Sequence, residues 1–282
     1  MGGTARIVDI GTLAALVDDG DMVAIPALLS GQYSGAAMAA TRAIIQRDVK
    51  RLHLLGVPAL SFQADLLIGA GCVGVVETGS ILLYEYGPAN RFVAAQRLGQ
   101  IEVRDSTCPA IHAGLIAGEK GLPFMPVRGI IGSDLLGHHE RRGDWRVIAN
   151  PFAANDRIVA ASAIRPDVAL FHAPLADRHG NVWIGQRDEL VTMARASRKT
   201  LVTFEQWHEG DLADDPRLSA AMVPAAFVTA LSHQPKGAWP HNGGEFYGED
   251  AAHLRDYARL SQTEAGFAEY LARHVTTVRE TA

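Results

Sequence analysis

Apolar residues recur along this chain in two alternating rhythms. Blocks of four to six residues at 22–25, 52–57, 73–78, 101–104, 124–127, 167–172, 181–184 and 200–204 are rich in apolar side chains and bounded by turn formers, which predicts strands. Between them, apolar positions three or four apart predict helices over 12–17, 36–46, 64–69, 90–98, 110–117 and 189–197. Turn chemistry separates the two: Asp18-Asp19-Gly20-Asp21, for example, closes the first helix. Strands alternating with helices at this spacing predict parallel β-α-β units, hence an α/β fold with an open, mostly parallel sheet and helices on both faces. No period of 20–50 residues recurs, which excludes a solenoid. From about residue 232 the rhythm stops. The stretch 233–244 is punctuation without periodicity, and two helices are expected after it, the second opening at Ser261 with Glu264 three residues on, a capping-box spacing. The reading is one α/β domain over 1–282, with 232–282 as a C-terminal helical arm.

Composition narrows the class without naming a chemistry. A chain of 282 residues has ample length to bury a core, and 48% hydrophobic with 20% charged residues is ordinary for a globular enzyme. The formal net charge of -5 argues against nucleic acid as a partner. Two cysteines, Cys72 and Cys108, suit a reducing compartment better than a disulfide framework. The apolar runs, such as 66–76, are shorter than the ~20 residues a membrane span needs. No leader pattern opens the chain, so a cytoplasmic location and no membrane partner are expected.

In an open α/β sheet, ligands collect beyond the carboxyl ends of the strands, so the loops there are the places to look. The first is Ser30-Gly31-Gln32-Tyr33-Ser34-Gly35, whose glycines permit close backbone approach ahead of a helix N-terminus. It matches neither a dinucleotide fingerprint nor a P-loop, so it either touches ligand or simply connects. His138-His139-Glu140, followed by Arg141-Arg142-Gly143-Asp144, reads as a solvated loop, because adjacent histidines point apart and rarely share a metal ion. Asp177-Arg178-His179-Gly180-Asn181 reads as a tight turn between two strands. Gly132-Ser133-Asp134 lacks the context of a nucleophile elbow and suits the cap of a helix from Leu135. Cys108, just before Pro109, is placed at a helix N-terminus and read as a buried, inert thiol. The stretch 121–137, "GLPFMPVRGIIGSDLLG", is an apolar strand broken by Pro123 and Pro126 and ending in the single charge of Arg128. No complete catalytic set, metal set or site for a permanently bound cofactor emerges.

Several segments together resemble the α (A-type) chain of family I coenzyme A transferases, in particular the α chain of the glutaconate CoA-transferase group. They are "ADLLIGAGCV" at 64–73, the 121–137 stretch, Asn150-Pro151-Phe152, "AIRPDVALFHA" at 163–173, "ADRHGNV" at 176–182, and Gly237-Ala238-Trp239-Pro240 followed by the helix holding Tyr257. They run in order over roughly residues 8–275. The resemblance implies one half of a two-subunit enzyme, an αβ or α2β2 assembly with a β subunit of the same family. Its substrates would be a coenzyme A thioester (an acyl-CoA) and a carboxylic acid. The nucleophilic glutamate would belong to the β subunit, with none in this chain. In that frame Gly31, Gln32, Tyr33 and Ser34 would shape the acyl pocket. Arg128 would pair with a substrate carboxylate or a CoA phosphate, or else salt-bridge a neighbour such as Asp134. Ser133 and the amides of Gly129 and Gly132 would bind carboxylate oxygen.

Two departures from the family pattern stand out. The first loop lacks the Gly-Gly-Phe start and the Arg-x-Pro seen there, which removes support for a dicarboxylate substrate. In a ring-hydrolysing branch an acid follows an Ile-Glu-x-Arg strand. Here Ile101-Glu102-Val103-Arg104 leads to Asp105-Ser106-Thr107-Cys108, so Asp105 or Cys108 would have to serve. A ring- or thioester-cleaving hydrolase on the same scaffold is the alternative reading, and a non-catalytic ligand-binding module is the third.

Overall fold

The computed structural model describes residues 6–28 and 33–276. Its strands, in chain order, are β1 (Arg6–Ile7), β2 (Met22–Pro26), β3 (Leu52–Val57), β4 (Val73–Thr78), β5 (Glu102–Asp105), β6 (Phe124–Val127) and β7 (Trp145–Ala149). They continue with β8 (Arg157–Ser162), β9 (Val168–Ala176), β10 (Val182–Trp183), β11 (Lys199–Trp207), β12 (Met222–Val223) and β13 (Ala230–His233). The helices are α1 (Ile10–Ala14), α2 (Met38–Gln46), α3 (Phe62–Gly69), α4 (Asn90–Arg97) and α5 (Cys108–Glu119). After them come α6 (Asp134–Arg142), α7 (Asp188–Ala196), α8 (Ala251–Leu260) and α9 (Glu264–Leu271). None of the described helices is long and apolar enough to cross a membrane.

The main sheet runs β1-β13-β11-β9-β2-β3-β4-β5, with every neighbour along this path parallel. β10 and β12 extend it from β9 as antiparallel pairs. Side chains alternate across it as a pleated strand requires. Val23, Ile25, Leu52, Leu54, Val168 and Leu170 face a core filled by α1 to α4. Ala24, Leu55, Val57, Ala169, Phe171 and Val202 face the opposite core, closed by α5 and α7. Both faces are therefore buried, which is why these strands read as continuous apolar runs. Strand order reverses between β2 and β9: β2 to β5 step one way, and β9, β11 and β13 step the other. That reversal opens a crevice above the carboxyl ends of β2 and β9.

Four expectations are corrected. The strand at 124–127 forms, but it belongs to a separate antiparallel sheet of order β6-β8-β7. Pro126 has no N–H for a central ladder, and as β6 it sits on an edge. β7 and β8, its companions, lie where the apolar pattern predicts no strand. The supposed solvated loop at 138–144 is largely helix α6, closed by Gly143 in the left-handed conformation (φ 92°). His139 is buried there, stacked on Trp145 with ring centroids 3.5 Å apart. Cys108 is exposed, not buried, at the first position of α5, which Thr107 caps through Ala110 N. In the arm, Ser261 ends α8, and Thr263 caps α9 through Gly266 N at 3.1 Å. Ser261 has the capping-box glutamate and Thr263 does not, yet the helix opens at Thr263, because the path of the chain overrides the local motif.

The small sheet is braced on α5 through two glycines. Ile164 N donates to Gly114 O at 2.8 Å, and a Cβ on Gly118 would stand 2.1 Å from the Ile164 carbonyl oxygen. Gly118→Ala would gain about 1 kcal/mol of helix propensity in an open helix. Here the clash is with backbone, which cannot swing away, so overpacking of about 1–3 kcal/mol is expected to win. Chemical denaturation should show a net loss of stability for Gly118→Ala; a stabilised variant would mean that the 164 segment moves freely. The arm has its own core. Leu254, Tyr257, Leu260, Phe267 and Tyr270 pack on Met38, Phe62 and Leu66, which docks α8 and α9 over α2 and α3.

Candidate active site

A cavity of about 450 Å³ opens at the carboxyl ends of β2, β3 and β4. Ala27, Leu28 and Ser34 enter it from the loop after β2, and Pro58, Ala59, Ser61 and Phe62 from the turn after β3. Leu83 and the single turn Tyr84–Tyr86 come from the loop after β4. The segment beyond β13 supplies His241 and Asn242, and the arm supplies Glu249 and Leu254. Tyr84 holds φ at 52°, rare for a bulky residue, and its hydroxyl donates to Leu28 O at 3.1 Å, tying the two loops together across the opening.

Of the residues singled out in the first loop, Gly31 and Gln32 lie outside the described residues. Ser34 reaches the cavity; its N–H donates to Asn242 O at 3.1 Å, and its hydroxyl accepts from Ala36 N at 3.3 Å. Tyr33 turns the other way. It is buried, its hydroxyl donates to Ile184 O at 2.8 Å, and it lines a second concavity with Trp183 and residues 243–246.

What holds this loop is Arg187, a residue that the sequence did not point to. It is fully buried and donates to Ala27 O at 2.8 Å, Ser34 O at 3.0 Å and Tyr33 O at 3.1 Å, while its Nε pairs with Glu189. Gly35 has φ of 73°, and a Cβ there would meet the guanidinium at 2.9 Å, so glycine is required at this position on two counts. A neighbouring network anchors the 236–247 segment. His172 bridges Thr203 and Glu205 at 2.8 Å each, Lys236 N donates to Glu205 Oε2 at 2.6 Å, and Tyr247 donates its hydroxyl to Glu205. Burial pushes the Glu205 carboxyl up, but the hydrogen bonds from His172, Tyr247 and Lys236 outweigh it and hold the pKa below the usual range. His241, carried on that segment, is buried, and its Nε2 has no partner among the described residues. Its pKa is pushed down to about 3, mainly by burial and then by Arg42 and His253, so the ring is neutral in ordinary buffers.

The 128–134 loop is a separate place. Arg128 is exposed and makes a two-pronged ion pair with Asp156, Nη1 to Oδ1 being 2.9 Å, so its internal partner is Asp156 and not Asp134. Asn150 donates to the same carboxylate at 2.6 Å. Hydrogen bonds from Arg128 and Asn150 hold Asp156 down at about 2. Gly129 and Gly132 take positive φ with open space beside them, Ser133 donates to Ile130 O at 2.7 Å, and Asp134 opens α6. None of these residues lines the cavity. Asp105 ends β5, and its carbonyl accepts from His139 at 2.9 Å. Cys108 lies closer in: Gly79, at the end of β4, has room for a Cβ 3.4 Å from its sulfur and 3.5 Å from Pro58 O on the cavity wall.

No family model matches the sequence. Whole-chain similarity is clear nonetheless. The chain is 30% identical over 274 residues to a Mycobacterium tuberculosis protein named cholesterol ring-cleaving hydrolase IpdA subunit, covering 90% of this chain and 91% of that one. It is 28% identical over 274 residues to the A-type chain of 3-oxoadipate CoA-transferase from Pseudomonas knackmussii, covering 94% and 91%. The chain belongs to the α-chain family of the coenzyme A transferases. The fold agrees: glutaconate CoA-transferase from Acidaminococcus fermentans superposes with a TM-score of 0.86 over 98% of this chain and 90% of that one, at 24% identity. An uncharacterized protein of Archaeoglobus fulgidus, 29% identical over 245 residues, is longer, and this chain spans about half of it, 52%.

Proposed function

We propose that this chain is the α half of a heteromeric acyl-CoA:carboxylate CoA-transferase, and that its cavity holds the acyl group. A glutamate of the β partner would attack the thioester carbonyl, giving a mixed anhydride and a CoA thiolate. The thiolate would then attack the glutamyl carbonyl, releasing the acid and leaving a glutamyl-CoA thioester that passes CoA to the acceptor acid. The observation that carries this reading is the cavity's position: it opens at the carboxyl ends of β2, β3 and β4, beside the strand-order reversal, and two of its five wall segments are held by Arg187 and Glu205. Ser34 and the loop around it would line the acyl group. Arg128 and the open backbone of residues 129–134, on a different surface, would meet the acid's carboxylate or a CoA phosphate in competition with Asp156.

The decisive experiment combines the purified chain with its β partner and follows CoA transfer, with hydroxylamine trapping and mass analysis of both subunits. The expected result is no transfer by the chain alone, transfer by the pair, and a trapped glutamate on the partner only. Robust transfer by the isolated chain would overturn the division of labour. Arg128→Gln, a change to an exposed pair worth little to stability, should raise KM for the acid about tenfold with kcat nearly unchanged.

A second reading is favoured by one observation, the exposed Cys108 thiol at the start of α5, near Gly79 just past β4. A hydrolase would release free CoA with no acceptor acid present. Full hydrolysis by both Cys108→Ala and Asp105→Asn would remove those residues from its mechanism.

A further inference from the structure

The cavity wall has a charge pattern that limits what can enter. Its interior is built from Ala27, Leu28, Pro58, Phe62, Leu83 and Leu254. Two carboxylates, Glu85 and Glu249, line it from exposed positions, with Tyr86 donating its hydroxyl to Glu249. No lysine or arginine is among its described lining residues, and residues 29–32 are Leu-Ser-Gly-Gln. Arg187 and Arg42 lie behind the wall with most of their donors engaged, although Arg42 Nε has no partner among the described residues, and Arg255 and Arg259 stand on an adjoining surface that shares Glu85 and Tyr86. Arg187 is committed to three carbonyls and Glu189, and Arg42 donates to Trp239 O at 3.0 Å and stacks on the Trp239 ring. The remaining basic group, His241, is neutral because it is buried among other cationic and imidazole side chains.

Resting on the assignment of this cavity to the acyl group, we propose that the enzyme selects acyl chains that carry no negative charge at their far end. A carboxylate pushed into this wall would lose its water, meet no lysine or arginine among the described lining residues, and lie near two carboxylates. An uncharged chain, straight, branched or alicyclic, loses nothing polar and buries apolar surface against Leu28, Phe62, Leu83 and Leu254. The volume of about 450 Å³ lies toward the lower end for small-molecule sites, which favours acyl groups of medium length.

The test measures Kd for hexanoyl-CoA and adipyl-CoA, equal in chain length, on the full chain copurified with its β partner. Hexanoyl-CoA should bind at least 30-fold tighter. The double variant Glu85→Gln/Glu249→Gln should narrow that ratio at least fivefold, by removing the repulsion at the entrance. Ala59→Trp, which fills the cavity, should weaken hexanoyl-CoA at least 50-fold. Equal binding of both thioesters, or preference for adipyl-CoA, overturns the charge selection while leaving the cavity as the acyl site. Wild-type hexanoyl-CoA binding in Ala59→Trp, or binding of neither thioester to the unaltered enzyme, overturns the assignment of the cavity itself. Should Ala59→Trp fail to fold, the hexanoyl-to-adipyl ratio and its response to the glutamine pair still decide the proposal.

Discussion

An Arg187→Met variant is expected to melt about 10 °C below the unaltered chain and to lose measurable acyl-thioester binding. Methionine keeps much of the volume but none of the donors, so the carbonyls of Ala27, Tyr33 and Ser34 lose their shared partner. Glu189 is left as a largely buried carboxylate facing an apolar side chain. Breaking a buried pair in this way typically costs about 3–5 kcal/mol, because the surviving charge stays uncompensated. In a domain of this size each kcal/mol lowers the melting temperature by about 2–4 °C. Arg187→Lys should recover part of the stability but not the binding, since a point charge cannot span three carbonyls on different residues. A melting temperature within 2 °C of the unaltered chain for Arg187→Met would show that the loop carrying Ser34 is held by something else.

The second large effect concerns Asp65, and it is a dependence on pH. This carboxylate is fully buried, accepting from Tyr257 Oη at 2.7 Å and from Phe92 N at 2.8 Å. It thereby ties α8 to α3 and caps α4, whose own N-cap residue is Ala89, a side chain that cannot accept. Burial raises its pKa from an ordinary 3.8 to about 6, against the lowering effect of those two hydrogen bonds and of Arg91. With the folded value above the unfolded one, the folded state holds a proton that the unfolded state has released. The contribution is therefore complete below about pH 4 and is lost as pH rises through about 6. A shift of this size corresponds to on the order of 3 kcal/mol. The difference in unfolding free energy between the unaltered chain and Asp65→Asn should fall by that amount from pH 4 to pH 7, measured by urea denaturation at each pH. A difference that stays flat across the window would place the titration elsewhere.

How much of this was legible beforehand can be traced element by element. β3 and β4 match their predicted ranges, because both are mostly apolar runs between turns, and their polar members His53 and Glu77 face each other at 3.1 Å across the pair. The turn at 177–181 also reads correctly, since Asp177 accepts from His179 N, Asn181 N and the Asn181 side chain within five residues of sequence. Local chemistry of this kind leaves a local trace. β7 and β8, in the small sheet, left none, because their apolar positions serve a small core shared with α5 and α6 rather than a two-sided sheet. His139 looked like a solvent group because nothing near it in sequence announces Trp145 as its stacking partner.

The candidate site divides along the same line. Position after β2 was enough to single out Tyr33 and Ser34, and the ordered segments along the chain were enough to suggest the family. Arg187 lies 153 residues from Ser34, and Glu205 lies 31 from Lys236 and 42 from Tyr247, so no window of sequence contains either arrangement. Sequence alone determined the alternation of strand and helix, hence the parallel sheet and the end of it where ligands gather, because those follow from periodicities a few residues long. Only the tertiary structure decided that Arg128 pairs with Asp156, that Cys108 is open, and that the described cavity lining is largely apolar with two carboxylates and no lysine or arginine. Each of those outcomes depends on which distant segments the fold brings within about 3 Å of one another, the range over which hydrogen bonds and ion pairs act.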